Sequence, residues 1–412
     1  MNEMNGFGSD SASGMPGADS DLRPSHRPRL VTVLTRMDVG GVPDHVIALL
    51  SNIADRYDLW LVCREAIPEH AARLRQIGVK VEFIDFARAP SPLRDIRALL
   101  ELVRFVRRHR FDILHSHMSK GAILGGIAGR VARVPLVVHT AHGFGWLALR
   151  NPLLRGLFWI YDRTLWATTL DRLFVVSERQ RQRLIADRLV KSELTTTLYN
   201  GIDPEAVRLA ARTGVTRADL GVPDDAVLVV AVCRLVSFKA VHTLIDAVHA
   251  LGDDVGALHV VVAGDGDLRP QLERQISALG LSDRVRLIGW RNDAPRLIAL
   301  SDIFALSSVA EGMPLAIMRA MALGKPVVAN AVDGVPELVV EGETGLLVPP
   351  RDPAAFAVAL RRMIEDPALR RRCGEAGRRR VDEQFTQRGM AEAAHRQYSM
   401  LLESKGRSIA AG

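Results

Sequence analysis

Cysteine is scarce in this chain of 412 residues, which contains only Cys63, Cys233 and Cys373. The number is odd, the three residues lie far apart, and their spacing matches no metal-binding motif. These features argue against a disulfide-stabilised secreted protein and against a cysteine-ligated metal site. The sequence therefore predicts a protein of the reducing cytoplasm.

Long apolar runs are missing as well. No run approaches the roughly 18 residues that a membrane-spanning helix needs, so we expect a soluble protein or, at most, one that is peripheral at the inner face of the plasma membrane.

Residues 1–28 lack the basic start and the apolar centre of a signal peptide and are rich in Gly, Ser, Asp and Pro. Such a composition predicts a disordered tail.

A dinucleotide-binding fingerprint is the third absence. The strand predicted at residues 29–35 is followed by a single glycine pair, Gly40 and Gly41, instead of G-x-G-x-x-G. This pattern disfavours a dehydrogenase. It leaves the glycine pair as either a tight structural turn or the wall of a ligand cleft.

What the chain does contain is an alternation of short apolar segments with longer helical ones. Its length and its 48% of hydrophobic residues suit two domains whose parallel strands are buried on both faces. The alternation predicts an α/β fold with two doubly wound sheets. The predicted strands cover residues 29–35, 59–63, 81–86, 113–117, 136–140 and 174–177, then 226–233, 258–266, a strand that ends at 287–290, 302–307, 327–330 and 345–348.

The boundary between the two domains is predicted near residue 203. Asn200 and Gly201 form a turn signal, and Pro204 prevents a strand from continuing directly. The predicted segments are then a first domain at 29–203, a second domain at 204–384, and a last helix with a short tail at 385–412.

Two features of the second domain suit a bound diphosphate. The turn after one strand carries Arg234 and Lys239, two cations that can hold phosphate groups from two sides. Residues 306–350 predict strand, helix and strand, with Glu311 just before a helix that opens at Gly312. A helix start offers unpaired N–H groups and a positive dipole end to an anion, and ligands of parallel sheets lie at the carboxyl ends of the strands.

Four motifs in the segment 306–350 carry a resemblance to a known family. They are E-G-M-P-L from Glu311, A-M-A-L-G-K-P-V-V-A from Ala320, G-V-P-E from Gly334 and G-E-T-G-L-L-V-P-P from Gly342. Together they resemble the nucleotide-sugar signature of the retaining family 4 glycosyltransferases, also called glycosyl transferases group 1. The resemblance covers about residues 30–405 and is looser in the first half.

The resemblance implies the GT-B architecture, in which two Rossmann-like domains face each other across a cleft and the last helix returns to the first domain. It implies a retaining transfer of a sugar from a UDP- or GDP-linked donor to a glycan or lipid-linked acceptor, in polysaccharide or glycolipid biosynthesis. Neither a cofactor nor a metal is expected. Asp265 and Asp267 alone would match a metal-binding D-x-D motif, but their place between strand and helix predicts turn and cap residues.

The resemblance also implies catalytic roles for four residues. Arg234 and Lys239 would neutralise the leaving diphosphate, and Glu311 would contact the sugar and the positive charge that develops on it. His142 would position the sugar from the opposite wall of the cleft. The residues expected to line the donor site are Gly40, Gly41, Gly266, Gly312, Met313, Pro314, Leu315 and Arg319.

Two positions depart from the family pattern. Arg319 stands where a second Glu is expected eight residues after Glu311, and Ala240 stands where a Gly follows the Lys. We expect Arg319 to face the ribose of the donor and Ala240 to be tolerated at a helix start. The departures keep two alternatives open: an inactive relative that binds nucleotide sugars, and a GT-B enzyme that does not transfer, such as a sugar-nucleotide epimerase.

Basic charge is concentrated in the first domain. Residues 29–200 contain 26 Lys and Arg against 16 Asp and Glu, whereas the whole chain has a net charge of +7. Arginines recur along the helical stretch 94–110, and aromatic residues along 153–166. Such helices bind anionic membrane surfaces, where a lipid-linked acceptor would be presented, but ordinary packing helices have the same pattern. No nucleic-acid-binding module is recognisable, so nucleic acid is not expected as a partner.

Overall fold

The structure is a computed structural model that describes residues 27–38, 40–87, 91–143, 151–252 and 255–407. Most of the tail predicted for residues 1–28 lies outside this range. Among the helices of the described segments, none combines the length and the apolar character that crossing a bilayer requires.

The first domain is built on a parallel sheet of seven strands. Strands β1 to β7 are Arg29–Val33, Asp58–Cys63, Lys80–Phe83, Ile113–His117, Leu136–Ala141, Arg172–Val175 and Thr195–Thr197. Helices α1 to α6 are Gly41–Ser51, Pro68–Gln76, Pro92–His109, Ser119–Val131, Pro152–Thr169 and Glu178–Ala186. The strand order is β3-β2-β1-β4-β5-β6-β7, so successive strands lie on one side of β1 as far as β3 and on its other side from β4 onward. Ligands of such sheets bind at this switch point between β1 and β4.

The second domain repeats this plan with six parallel strands. Strands β8 to β13 are Val227–Val232, Leu258–Ala263, Val285–Leu287, Ile303–Leu306, Val327–Asn330 and Gly345–Val348. Helices α7 to α14 are Pro204–Ala210, Val241–Leu251, Arg269–Ala278, Ala294–Leu300, Leu315–Ala322, Val335–Leu338, Pro353–Glu365 and Pro367–Gln384. Its order, β10-β9-β8-β11-β12-β13, has the switch point between β8 and β11. The predicted fold class, with two Rossmann-like domains, is confirmed.

Each sheet is buried between two layers of helices, which explains the continuous apolar runs of the strands. In β1, Leu30 enters the core on the side of α1, whereas Val31 and Val33 enter the core on the side of α3. The second sheet likewise divides its strand residues between two cores.

The two chain segments that pass between the domains are hydrogen-bonded to each other. The N–H of Ile202 donates to the carbonyl of Phe385 over 3.0 Å, and the N–H of Gln387 donates to the carbonyl of Ile202 over 2.7 Å. Gly201 makes this approach possible, because a Cβ there would lie 2.2 Å from the carbonyl oxygen of Thr386. The crossing is therefore a closely packed pair of chain segments.

The last helix returns to the first domain. This helix, α15 (Gln387–Glu403), packs against α1 and buries Met390 and Tyr398 in the core of the first sheet. Its N-cap is Thr386, whose hydroxyl accepts from the N–H of Gly389 over 3.1 Å. The helix thus begins two residues later than the predicted start at 385.

Several predicted strand ends were wrong for local reasons. The strand predicted at 174–177 ends at Val175, and Ser177 instead caps α6 by accepting from the N–H of Gln180 over 3.2 Å. The strand predicted at 258–266 ends at Ala263, where the glycine turn begins. The short strand β7 was not predicted, because its three threonines show no alternation of apolar and polar residues.

Candidate active site

The switch point of the second sheet brings Lys239 and Glu311 together. Strands β8 and β11 are neighbours, and the loops at their carboxyl ends carry these two side chains. The Lys239 ammonium and the Glu311 carboxylate form an ion pair in which the side chains are only 16% and 8% exposed. The N–H of Glu311 donates to the Asp333 carboxylate over 2.8 Å, which fixes the loop. Two of the predicted catalytic residues are therefore in direct contact.

Ala240, the residue after Lys239, adopts a left-handed backbone conformation with φ 46° and ψ 41°. Its carbonyl accepts a hydrogen bond from the Ser307 hydroxyl over 3.0 Å. A left-handed conformation costs a non-glycine residue about 1–2 kcal/mol, so a glycine would fit here without strain. The expectation that Ala240 is simply tolerated at a helix start was incomplete, since the position has a conformational demand of its own.

Arg234 lies on the turn after β8 and is exposed. Its guanidinium carbon lies 5.9 Å from the centre of the Phe238 ring, and within the described residues no carboxylate pairs with it. Gly266 supports this turn from the next loop, because a Cβ there would lie 2.5 Å from the carbonyl oxygen of Leu235. The Asp265 carboxylate accepts from the N–H of Gly266 over 2.8 Å, which is the turn role expected for this aspartate. The turn therefore presents a free cation.

Helix α11 begins at Leu315 and not at Gly312. Pro314 is its N-cap residue and has no N–H group, so the free donors of the helix start come from Leu315 onward. Met313 is buried, and its carbonyl accepts from the Asn200 side-chain amide over 2.9 Å. The prediction that the helix opens at Gly312 was wrong by three residues, so the positive end of the dipole lies at Leu315.

At Gly312 the backbones of the two domains approach closely. A Cβ on Gly312 would lie 2.1 Å from the carbonyl oxygen of His142, so only glycine permits this contact. Nearby, the Leu315 side chain lies 3.7 Å from the position of a Cβ on Gly41, the first residue of α1. Gly40 precedes it as the N-cap of α1. Gly41 and Gly312 therefore lie at the seam between the domains, whereas Gly266 supports a turn within the second domain.

His142 follows β5 and lies on the first-domain side of this seam. Its Nε2 lies 3.1 Å from Nδ1 of His117, and its ring centre lies 4.7 Å from that of His45. Burial lowers the pKa of His142 well below its ordinary value. Burial also lowers the pKa of His45 to about 4, although the neighbouring Asn200 side chain raises it. These imidazoles are neutral near pH 7 and are available as hydrogen-bonding groups.

Arg319 reaches across the seam to the first domain. Its Nη2 donates to the Asp44 carboxylate over 2.6 Å, and the two side chains are 29% and 35% exposed. The structure therefore gives the guanidinium a carboxylate partner on α1, where the sequence predicted a contact with the ribose. Sequence reasoning missed Asp44, although it lies four residues after Gly40.

Glu337 is a second interdomain contact that sequence reasoning did not identify. Its carboxylate accepts from the Ser177 hydroxyl over 2.6 Å and from the N–H groups of Glu178 and Arg179 over 2.9 and 2.8 Å. A carboxylate at the start of α6 is stabilised by the helix dipole. The signal was present in the motif G-V-P-E, but the sequence does not show that its glutamate reaches the other domain.

Comparison with known proteins places the chain in a family. The family model described as Glycosyl transferases group 1 matches residues 214–380, and that of Glycosyltransferase Family 4 matches residues 39–206. The UDP-Gal:alpha-D-GlcNAc-diphosphoundecaprenol alpha-1,3-galactosyltransferase of Escherichia coli is 30% identical over 331 residues, which are 78% of this chain and 83% of that protein. The chain belongs to glycosyltransferase family 4.

Other relatives agree with this assignment. The putative glycosyltransferase EpsD of Bacillus subtilis is 28% identical over 79% of this chain and 87% of its own length. Among solved structures, Anabaena Alr3699/HepE in complex with UDP and glucose has a TM-score of 0.77 and 23% identity, covering 90% of this chain and 100% of that one. A glycosyltransferase from Rickettsia africae has a TM-score of 0.75 and 17% identity, covering 92% and 100%. These likenesses show the GT-B fold.

In this family 4 glycosyltransferase the seam places opposite types of group on its two walls. The second domain contributes the ion pair of Lys239 and Glu311, with Arg234 on the same turn as Lys239, and the first domain contributes the neutral imidazole of His142. The Gln180 side chain adds a hydrogen bond from the first domain to the Glu311 carbonyl over 3.1 Å. Such a site can hold an anion on one side and hydroxyl groups on the other.

Proposed function

We propose that this family 4 glycosyltransferase moves a sugar from a UDP- or GDP-linked donor to a lipid-linked glycan, with retained configuration. The observation that carries the proposal is the buried ion pair of Lys239 and Glu311 beside the contact between Gly312 and His142. In a site from which water is largely excluded, a cation would stabilise the leaving diphosphate and a carboxylate would stabilise the positive charge that develops on the sugar.

The ion pair suggests how the donor would be received. A bound diphosphate would take Glu311's place as the partner of Lys239, and the free Arg234 would hold its other side. The start of α11 would add the positive end of its dipole. The Glu311 carboxylate, released from Lys239, would then stabilise the positive charge that develops on the sugar, while His142 would bind a sugar hydroxyl. The proposal involves no cofactor.

The donor and the acceptor class are inferred from the Escherichia coli relative. That protein is named for moving galactose from UDP-Gal to GlcNAc-diphosphoundecaprenol. We propose, by similarity, that this chain also uses a UDP-sugar and a lipid-diphosphate acceptor, in the biosynthesis of a cell-surface polysaccharide or glycolipid.

A transfer assay tests this proposal. The full chain is incubated with each of UDP-Gal, UDP-Glc, UDP-GlcNAc and GDP-Man, with and without a short-chain polyprenyl-diphosphate GlcNAc acceptor. We expect a product one sugar heavier by mass spectrometry and, for a donor with an α-linkage, an α-linkage by NMR. A donor isomerised without acceptor would instead identify an epimerase, and donors bound but unchanged would identify a binding protein.

Transfer is expected to survive a chelator. Lys239, Arg234 and the start of α11 would provide the positive charge that a metal provides in D-x-D enzymes, so EDTA should leave the rate unchanged. The measurement is the transfer rate of metal-free protein with and without EDTA, beside a metal-requiring glycosyltransferase as a control for chelation. A rate lost in EDTA and restored by Mn²⁺ would contradict the prediction.

One face of the first domain combines exposed apolar side chains with exposed arginines. Helices α3 and α5 flank α4 in one layer, and each exposes large apolar side chains. On α3, Leu93, Ile96 and Leu100 are 85%, 56% and 51% exposed; on α5, Leu153 and Leu157 are 78% and 63% exposed. Three exposed arginines of α3 accompany them: Arg97, Arg104 and Arg108. We propose that this face binds the anionic membrane that presents the acceptor.

Vesicle sedimentation checks this proposal. The chain is expected to sediment with anionic vesicles more than with neutral ones, and added salt should weaken binding because exposed charges are screened. Changing Arg97, Arg104 and Arg108 together to Glu should abolish the preference. The matched control makes the same change of charge at three exposed arginines of α14, namely Arg371, Arg372 and Arg379. Equal sedimentation with both vesicle types at low salt would refute the proposal.

A further inference from the structure

Three histidines converge at the carboxyl edge of the first sheet. His45 lies on α1, His117 is the last residue of β4, and His142 follows the neighbouring strand β5. One ring nitrogen of each lies within 4.8 Å of the others. In the described part of the chain this is the only group of three or more such side chains that could share a metal ion.

The cluster holds more nitrogen atoms than its internal hydrogen bonds can satisfy. His45 is buried and neither of its ring nitrogens has a hydrogen-bond partner; the same is true of Nε2 of His117. The Asn200 side chain lies beside His45 and raises its pKa as a hydrogen-bonding neighbour. Within the described residues, however, the His45 nitrogens and the Asn200 side-chain oxygen all lack a partner in hydrogen-bonding geometry. Leaving a buried polar group unpaired costs about 1–3 kcal/mol, so these nitrogens point to a ligand.

Two further buried histidines nearby show the contrast. His115 is bonded at both nitrogens, with the Thr140 hydroxyl at 2.7 Å and the Tyr398 hydroxyl at 2.7 Å. His139 has the Ser116 hydroxyl at 3.0 Å. Among the described histidines, the buried ring nitrogens without a hydrogen-bond partner therefore belong to His45 and His117, both in the three-histidine cluster.

We propose that His45, His117 and His142 form a binding site for a divalent transition metal of the zinc type, and that the bound ion withdraws His142 from the donor sugar. Neutral imidazole is the ligand form of histidine, and zinc, copper and nickel accept it readily. Three protein ligands leave one position of a tetrahedral site open for water. The second half of this statement rests on the proposed role of His142 in transfer.

The geometry requires a small contraction. Two nitrogens bound to one zinc ion are at most about 4.2 Å apart, which is twice the zinc–nitrogen distance. Separations of up to 4.8 Å must therefore close by a few tenths of an ångström or more. His142 can supply this movement because it is less buried than His45 and His117 and lies after the end of β5. Binding also replaces its hydrogen bond with His117.

The consequence is an inhibitory metal site in an enzyme whose transfer step needs no metal. The ion would hold the His142 ring against His45 and His117, on the first-domain side of the seam and away from the donor, so Zn²⁺ should slow transfer, and a chelator should reverse the effect. Inhibition and independence from metal are compatible, since the diphosphate is held on the other domain by Arg234 and Lys239.

Metal binding is tested on the full chain, freed of metal by dialysis. Co²⁺ is titrated and followed by its visible absorption, and Zn²⁺ is titrated against a chromophoric chelator. One equivalent is expected for the parent, with binding at least tenfold weaker in His45→Ala and in His117→Gln. The control is His249→Ala, an exposed histidine of α8, which should bind like the parent. Far-ultraviolet circular dichroism identifies any variant that does not fold, and the other variant then decides.

A second arm measures transfer by the parent and by His117→Gln over a range of Zn²⁺ concentrations. Half-inhibition is expected at a Zn²⁺ concentration at least tenfold higher in the variant, whatever its rate without metal. No binding by the parent, or binding unchanged in the cluster variants, overturns the metal site. Binding without inhibition overturns the link to His142. If the parent transfers no sugar, the proposed function fails, but the binding arm still decides the metal site.

Discussion

Replacing Lys239 by alanine is expected to lower kcat for transfer by roughly 10²-fold or more, the scale seen when a preorganised charge stabiliser is removed. The Lys239 ammonium is largely buried and held by Glu311, so it needs little reorganisation to receive the diphosphate. The variant also leaves the Glu311 carboxylate buried without its cation. Steady-state kinetics with saturating acceptor measure the change.

The control for this experiment is Lys191→Ala, which removes an exposed lysine of the first domain and should leave kcat unchanged. Lys239→Arg keeps the charge but changes its shape, so we expect a partial loss. A decrease of less than about threefold in Lys239→Ala would place the lysine outside the preorganised charge site, because such a site contributes much more.

The positions of the strands followed from the sequence where apolar runs end in clear turns. Residues 113–117, 327–330 and 345–348 are strands in the structure as predicted. The carboxyl ends of the strands were predicted less accurately. Val176 and Ser177, for example, continue the composition of β6, although the chain has already left the sheet after Val175. Local pattern identifies a strand, but the last hydrogen bond with its neighbour decides where that strand ends.

The sequence predicted several residues of the site but did not predict which of them contact each other. Motifs identified Lys239 and Glu311, but their ion pair depends on the packing of β8 beside β11, because the two residues are 72 positions apart in the chain. The pair of Arg319 and Asp44 spans 275 residues and two domains. The left-handed backbone of Ala240 is likewise invisible in composition, since alanine is otherwise a good helix former. The histidine cluster gathers three separate segments, and each histidine alone looks structural.

Arg319 stands where the sequence resemblance leads us to expect a glutamate, and its contact with Asp44 shows how the structure accommodates the positive charge. A guanidinium has five donors and no acceptor, so it cannot accept the hydrogen bonds that a carboxylate takes from ribose hydroxyls. The Asp44 carboxylate neutralises it across the seam. Because both side chains are about one-third exposed, the pair itself stabilises the fold by only about 0–1 kcal/mol. Its importance would lie in holding the two walls together around the donor.

Arg319→Glu is therefore expected to weaken binding of the enzyme's own donor by about 10- to 100-fold, or on the order of 1–3 kcal/mol. The variant would place two carboxylates opposite each other at the seam and remove a positive charge from the donor side. Adding Asp44→Arg restores an ion pair of reversed polarity and should recover most of the affinity. Calorimetry with UDP and with the preferred UDP-sugar measures the affinities of the parent and of both variants.

A double variant that binds as weakly as Arg319→Glu would show that Arg319 contacts the donor directly, as the sequence predicted. Tighter binding by Arg319→Glu would mark the arginine as a loss of function. Equal affinities in all three would exclude Arg319 from the nucleotide site.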